Sequence, residues 1–496
     1  MGATVNVLIE GPGWAPHSLD VHAGRFPLSV EAHLMNMTAR LVPGATTVTT
    51  NARYYSLHGA VSLEAQRRGL SFDKTLELLR RSEVIVAGAS VLHPDEVSGI
   101  SHGHDRIKPR MDEADELDVK ALSIPRSGYA NPLSGFLGPY LGSELTLKIL
   151  ASTAMEPGGR IEPNVLGNSF DGLFDLAERD RVPISELANH PHLSIGALRT
   201  SPDGPWLARL FAASNLEEPT ATDNVRRGTM RLLARAVKAT PKFGAVESFR
   251  RLIAYGDALR TDPIVASVPE AEPWRGTLFR HESVGAWRVL WAWLVNQIDG
   301  LTLPSELCAS LAAALPTGTL GSFLDDLPST TDPAGNPLPA EDLVRTGALS
   351  EPATCLAIIA LGARRSRELE GNARAAFIGD QRKVALLSPV WMATWLDDRR
   401  DQHLDMVAAE LVQVLLDRSR RIALKKVRVN TNGGIWLPSR IHERGDYLYK
   451  VGNEGRGNVG LRVDQLARIM TALGIIIECE DGWQVTATGD SLLNVN

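Results

Sequence analysis

Three histidines and two aspartates crowd into residues 93–105, and their types could hold a divalent cation. His93, His102, His104 and Asp105 place imidazoles and a carboxylate at short spacings, a donor set that suits zinc or manganese. Asp95, with Asp118-Val119-Lys120 downstream, supplies a second set. Two carboxylates that hold a metal and a lysine that positions water are the parts of a metal-dependent nuclease.

The surrounding residues weaken both sets. Ser101-His102-Gly103-His104-Asp105 lacks the residue between the second histidine and the aspartate, and the later histidine, of the metallo-β-lactamase pattern. Histidine-aspartate phosphohydrolases carry their pair on a helix, whereas Gly103 and Pro109 predict a loop. The nuclease set belongs on adjacent apolar strands, yet Asp118 closes an acidic run and Asp95 follows a His-Pro turn. No GxxxxGK[ST] loop and no GxSxG elbow occurs, and Gly88-Ala89-Ser90 lacks the flanking glycine. Neither Gly11 and Gly13 nor Gly452, Gly455 and Gly457 follow a strand and open a helix, so no dinucleotide site is expected. The expectation is a chain with no cofactor, no metal and no catalytic centre of its own; the alternative is a metal-dependent nuclease or hydrolase using residues 93–120.

The elements around these residues read as mainly α with small β parts. A chain of 496 residues predicts several domains. We expect a loop-rich α/β region over 1–150, a helical domain over 151–320, a linker at 321–340 rich in Gly, Pro and Asp, and a helical segment leading to a terminal module over 341–496. In the first region Thr46–Thr50 reads as a short strand, Ala52–Arg68 and Phe72–Ala87 as helices, and Asp112–Asp118 as a solvated loop. Gly128–Gly142, with Tyr129, Phe136 and Tyr140 among glycines and prolines, predicts an irregular crossing with its aromatics in the core. Glu282–Ile298 is apolar on both sides through Trp287, Leu290, Trp291 and Leu294, the mark of a central buried helix. It is too short and too polar for a membrane span. Cys308, Cys355 and Cys479 lie far apart and form no CxxC pair, which fits a reducing cytoplasm.

Charge singles out one segment. The net charge is −6, yet residues 418–462 are strongly basic. Arg418, Arg420, Arg421, Lys425, Lys426 and Arg428 open that stretch, and cations so clustered suit phosphates. Part of the cluster also suits the negative end of a helix. Val459–Gly474 then reads as an amphipathic helix, followed by a hairpin of Ile475–Cys479 and Trp483–Thr488 about an Asp481-Gly482 turn. A helix feeding a two-stranded wing is the ending of a winged-helix domain. Val463, Leu466, Met470 and Leu473 would face inward, leaving Arg462, Gln465 and Arg468 for a DNA groove. The wing carries Glu478, Glu480 and Asp481, which oppose phosphate and suit protein docking instead.

Asn51-Ala52-Arg53-Tyr54-Tyr55-Ser56-Leu57-His58, followed by the Tyr129–Tyr140 aromatic-glycine segment and the basic helix-hairpin ending, resembles bacterial proteins of anti-phage and restriction-type gene clusters. The resemblance implies a DNA-recognition or accessory subunit and carries no catalytic residues. The combined expectation is a cytoplasmic, mainly helical multidomain protein ending in a winged helix. It would bind duplex DNA, or dock a nuclease or helicase, and would have no membrane partner.

Overall fold

The computed structural model describes residues 26–496 apart from 96, 98, 127, 130–131, 380–384 and 430–434. The chain is mainly helical, with four two-stranded antiparallel sheets among the described residues. It divides into two compact units, one of Met1–Met35 with Arg275–Val459, the other of Asn36–Trp274 with Gly460–Asn496. This differs from the expected division at 150, 320 and 340. Each unit is assembled from segments distant in sequence, a union that no shift in composition can mark.

In the Arg275–Val459 unit the helix Ala271–Gln297 is the core element, as its two-sided pattern predicts. Trp287, Leu290, Trp291, Leu294 and Val295 are all buried. Gly276 lets the helix Gly371–Ile378 cross at backbone contact, since a Cβ there would lie 2.0 Å from the Ala373 carbonyl oxygen. The helix Pro304–Ala314 packs along Leu404–Lys425. The expected linker is folded. Leu320–Asp325 is a helix with Phe323 and Leu324 buried, and Asp332 Oδ1 accepts from the Ala334 and Asn336 N–H groups. Asp, Gly and Pro mark a tight turn there rather than a boundary.

In the Asn36–Trp274 unit the helix Arg53–Arg68 ends on Gly69 in the left-handed region. The next helix, Phe72–Leu92, runs past the expected end at Ala87. Gly88 permits this extension because the Leu117 and Leu187 side chains close to 2.8 and 3.0 Å from where its Cβ would be. Thr46–Thr50 is a turn and not a strand: the Thr46 N–H donates to Thr49 Oγ1 at 2.8 Å, satisfying locally what a strand would satisfy across a ladder. The acidic run is partly ordered, with Glu116–Asp118 paired antiparallel to Arg181–Pro183. The second half of the aromatic-glycine segment opens the helix Leu137–Leu147, which corrects its expectation as wholly irregular.

The C-terminal segment of this unit runs helix Arg462–Ala472, strands Ile476–Cys479 and Gly482–Val485, then helix Ala487–Leu493. The hairpin packs on the helix Ala221–Ala239, and the Trp483 N–H donates to the Pro241 carbonyl at 2.8 Å. No described helix is long and apolar enough to cross a membrane. Cys308, Cys355 and Cys479 are free thiols.

Candidate functional site

Three adjoining helices of the Asn36–Trp274 unit each place one ionisable residue on an otherwise apolar stripe. His58 stands between Tyr54 and Val61, Glu83 between Leu79 and Val86, and Glu144 between Tyr140 and Leu147; all of these side chains are buried. His58 Nδ1 meets Glu144 Oε1 at 2.6 Å, and Nε2 meets Glu83 Oε1 at 3.3 Å. Burial opposes a charge on His58, but the two carboxylates outweigh it and raise its pKa to about 9. Burial raises Glu83 and Glu144 above the ordinary carboxylate range, with His58 acting against the rise.

Glu83 also accepts from the Phe136 N–H at 3.0 Å, so the cluster fixes the turn that opens the helix Leu137–Leu147. Gly135, at φ +55°, is required beside it: a Cβ would sit 2.2 Å from Glu83 Oε2. Next to this turn His102 stacks on Phe136 at 4.4 Å. Its backbone N–H donates to the Tyr54 hydroxyl at 3.1 Å, and its Nε2 lies 3.0 Å from the Tyr140 hydroxyl. Burial and the neighbouring His58 charge lower His102 to about 4, so it is neutral at pH 7. Tyr140 donates to the Asn51 carbonyl and accepts from the Asn51 N–H, both at 3.1 Å. With its proton on Nε2, His102 would donate to the Tyr140 hydroxyl, while Glu144 Oε2 is enclosed without a hydrogen-bond partner.

Residues of the segments Asn51–His58 and Tyr129–Tyr140 therefore meet around this cluster. Chemically it holds a proton on His58 across neutral pH. His58, Glu83 and Glu144 are fully enclosed, and through Glu83 the cluster holds the Gly135-Phe136 turn. No motif in the sequence marks these three residues. The available signal was an ionisable residue on each of three apolar helical stripes.

The sets suspected of binding metal are dispersed into separate structural roles. His93 Nε2 lies 3.0 Å from the Ala188 carbonyl, and His104 and Asp105 open the helix His104–Asp112, so this part is not a loop. A Cβ on Gly196 would lie 2.5 Å from the Cβ of Asp95, which packs there. Asp118 Oδ1 caps the following turn through the Ala121 N–H at 2.8 Å, and Lys120 pairs with Asp180 at 2.9 Å. Among the described residues no group of three or more His, Cys, Asp or Glu side chains is placed to hold a metal ion.

The residues expected to bind DNA fall in both units. In the Arg275–Val459 unit, Arg420, Arg421, Lys425 and Arg428 are exposed at the end of the helix Leu404–Lys425 and just beyond it. Arg420 pairs with the exposed Glu443 at 3.3 Å, and the Arg428 guanidinium lies 5.8 Å from the Trp436 ring centre. Arg418 and Lys426 turn inward. Arg418 Nε donates to the Leu28 carbonyl at 3.0 Å and Lys426 Nζ to the Phe26 carbonyl at 3.2 Å. Burial lowers the pKa of both. Arg280, buried, donates to the Val30 carbonyl at 3.3 Å, so cations hold three alternate carbonyls of residues 26–30.

In the other unit Arg462 Nη1 donates to the Ala45 carbonyl at 2.9 Å, and Gln465 Oε1 is enclosed without a hydrogen-bond partner. Of the three residues expected to face a groove, Arg468 alone is exposed. Arg418 and Lys426, expected to contact phosphate, and Arg462, expected to face a groove, are instead turned to backbone carbonyls. Each satisfies a backbone carbonyl of its own unit, a partner that sequence separation conceals.

No protein family, no curated protein and no solved structure matches this chain.

Proposed function

We propose that the protein is a non-catalytic nucleic-acid-binding subunit whose contact surface is the exposed basic end of the helix Leu404–Lys425, continued by Arg428. The observation that carries this is the set Arg420, Arg421, Lys425 and Arg428, exposed together within one short segment of a chain whose net charge is −6. Only Arg420 of the four forms an ion pair among the described residues, and that pair is exposed and cheap to exchange for phosphate. Leu424, Val427 and Val429 are exposed beside them, apolar surface of the kind that meets sugars and bases. The setting, an accessory subunit of a bacterial anti-phage or DNA-processing system that works beside a nuclease or helicase, rests on the resemblance in Asn51–His58 and Tyr129–Tyr140.

A winged-helix function for Arg462–Val485 is a separate proposal, supported by the order of helix and hairpin. Its exposed acids, Glu478 and Glu480, favour a protein partner over phosphate.

Binding of the full chain to fluorescent duplex DNA across a salt series tests the proposal. A steep loss of affinity with salt is expected, and Arg421→Gln with Lys425→Gln should flatten the logarithmic slope by about 2. Binding with an unchanged slope would remove this surface, and no binding at low salt would remove the function.

A further inference from the structure

The Asn36–Trp274 unit contains a cleft of about 580 Å³ between the Arg40–Thr46 segment, the helix Leu137–Leu147 and the start of the helix Ala221–Ala239. Its polar lining is Arg40, Thr46, Ser143, Thr146, Thr222 and Arg462, and no carboxylate lines it. A cleft with two guanidinium groups, four hydroxyls and no acid has the electrostatics of an anion site.

Both arginines are available to a ligand. Arg40 is exposed and forms no ion pair with any described residue. Arg462 is anchored through Nη1 to the Ala45 carbonyl, and its remaining N–H groups have no partner among the described residues.

A third arginine adds charge beside the wall. Arg226 is fully buried with Nη1 unpartnered, and a Cβ on the lining Gly44 would come 3.3 Å from that atom. Its other nitrogens are engaged by the Phe211 and Leu210 carbonyls and by Asp223. Asp223 is buried and shared between Arg226 at 2.7 Å and Arg160 at 2.6 Å, so one carboxylate answers two guanidinium groups and a positive charge is left over. The helix Ala221–Ala239 contributes its positive end. The capping box of Thr220 and Asp223 uses their own N–H groups, which leaves those of Ala221 and Thr222 at the cleft.

We infer that this cleft binds a phosphate monoester carried on a small organic body. Arg40, Arg462 and the start of the helix Ala221–Ala239 would hold the phosphate, and Ala39, Pro43 and Val225 would meet the apolar part. The cleft is larger than a bare tetrahedral anion needs and falls within the range of small-molecule sites, about 300–1,000 Å³. The site is independent of the basic helix end proposed above to contact nucleic acid.

Calorimetric titration of the full chain with inorganic phosphate, adenosine 5′-monophosphate and adenosine, with ionic strength held by chloride, tests the site. Phosphate should bind weakly, the monophosphate more tightly, and adenosine not at all. Arg40→Glu should weaken the monophosphate by about tenfold or more, and Arg40→Lys much less. The unfolding temperature should stay put, because Arg40 has no described partner to lose. Absence of heat with both phosphate compounds, or equal affinity in Arg40→Glu, would overturn the inference. Competition by a 5′-phosphorylated oligonucleotide would assign the phosphate to a nucleic-acid end, and failure to compete would assign it to a free metabolite; either outcome retains the site.

Discussion

His58 Nδ1 lies 2.6 Å from Glu144 Oε1, and neither side chain has any solvent exposure. A contact this short between enclosed ionisable groups makes the pair costly to break from one side. Removing His58 strands both Glu83 and Glu144 in the core, and removing Glu144 leaves His58 Nδ1 without its acceptor while Nε2 stays on Glu83.

That asymmetry predicts the outcome of a double-mutant cycle. His58→Leu should destabilise by about 3–5 kcal/mol because it leaves two buried carboxylates without their cation, and Glu144→Leu by less because His58 keeps Glu83. The double substitution should cost clearly less than their sum. Urea unfolding of the four proteins checks this, and additive losses would show that the pair is not coupled.

Alkaline pH should weaken the fold. The folded pKa of His58, about 9, lies above its ordinary 6.5, so its contribution is complete below pH 6.5 and is lost as pH rises toward 9. Glu83 and Glu144 are raised above 4.5, so they too bind protons more tightly when folded, and stability falls as pH climbs past 4.5. Unfolding free energy should drop by on the order of 3 kcal/mol between pH 6.5 and 9.5. In His58→Gln the part of the fall above pH 6.5 should shrink, and an unchanged profile would place the titration elsewhere.

Gly135→Ala should be among the most damaging small substitutions in this unit. Its φ of +55° already disfavours a side chain, and the new Cβ would meet Glu83 Oε2 at 2.2 Å. A loss of about 2 kcal/mol or more is expected. Glu83→Ala in the same chain should relieve the clash but not the backbone cost, so the second change should be less harmful in Gly135→Ala than in the parent.

The cations at the end of the helix Leu404–Lys425 should separate into two classes. Arg418→Gln removes a donor to the Leu28 carbonyl and should lower the unfolding temperature with little change in the salt dependence of DNA binding. Arg421→Gln and Lys425→Gln should do the reverse, since both side chains are exposed. Thermal unfolding and the salt series, run on the same proteins, distinguish the classes.

Regular elements with strong periodicity were legible in the sequence. The two-sided apolar pattern around Trp287 and Trp291 identified a buried helix, and Tyr55, Leu57 and Val61 identified Arg53–Arg68. Local chemistry was harder to weigh where two local options competed. Thr46–Thr50 has the β-branched residues of a strand, yet a threonine hydroxyl closes a turn, and the Asp332–Pro337 stretch has a linker's composition but forms an ordered turn.

What the sequence determined by itself was the helical class, the buried helices and the local excess of basic charge, because periodicity and charge are carried by neighbouring residues. Tertiary structure alone decided which charges are spent. Arg418 and Lys426 resemble Arg421 and Lys425 in sequence but donate hydrogen bonds to carbonyls 390 and 400 residues away. His58, Glu83 and Glu144 likewise become one cluster only when three helices pack together, since the cost of enclosing a charge can be met by a partner at any separation along the chain.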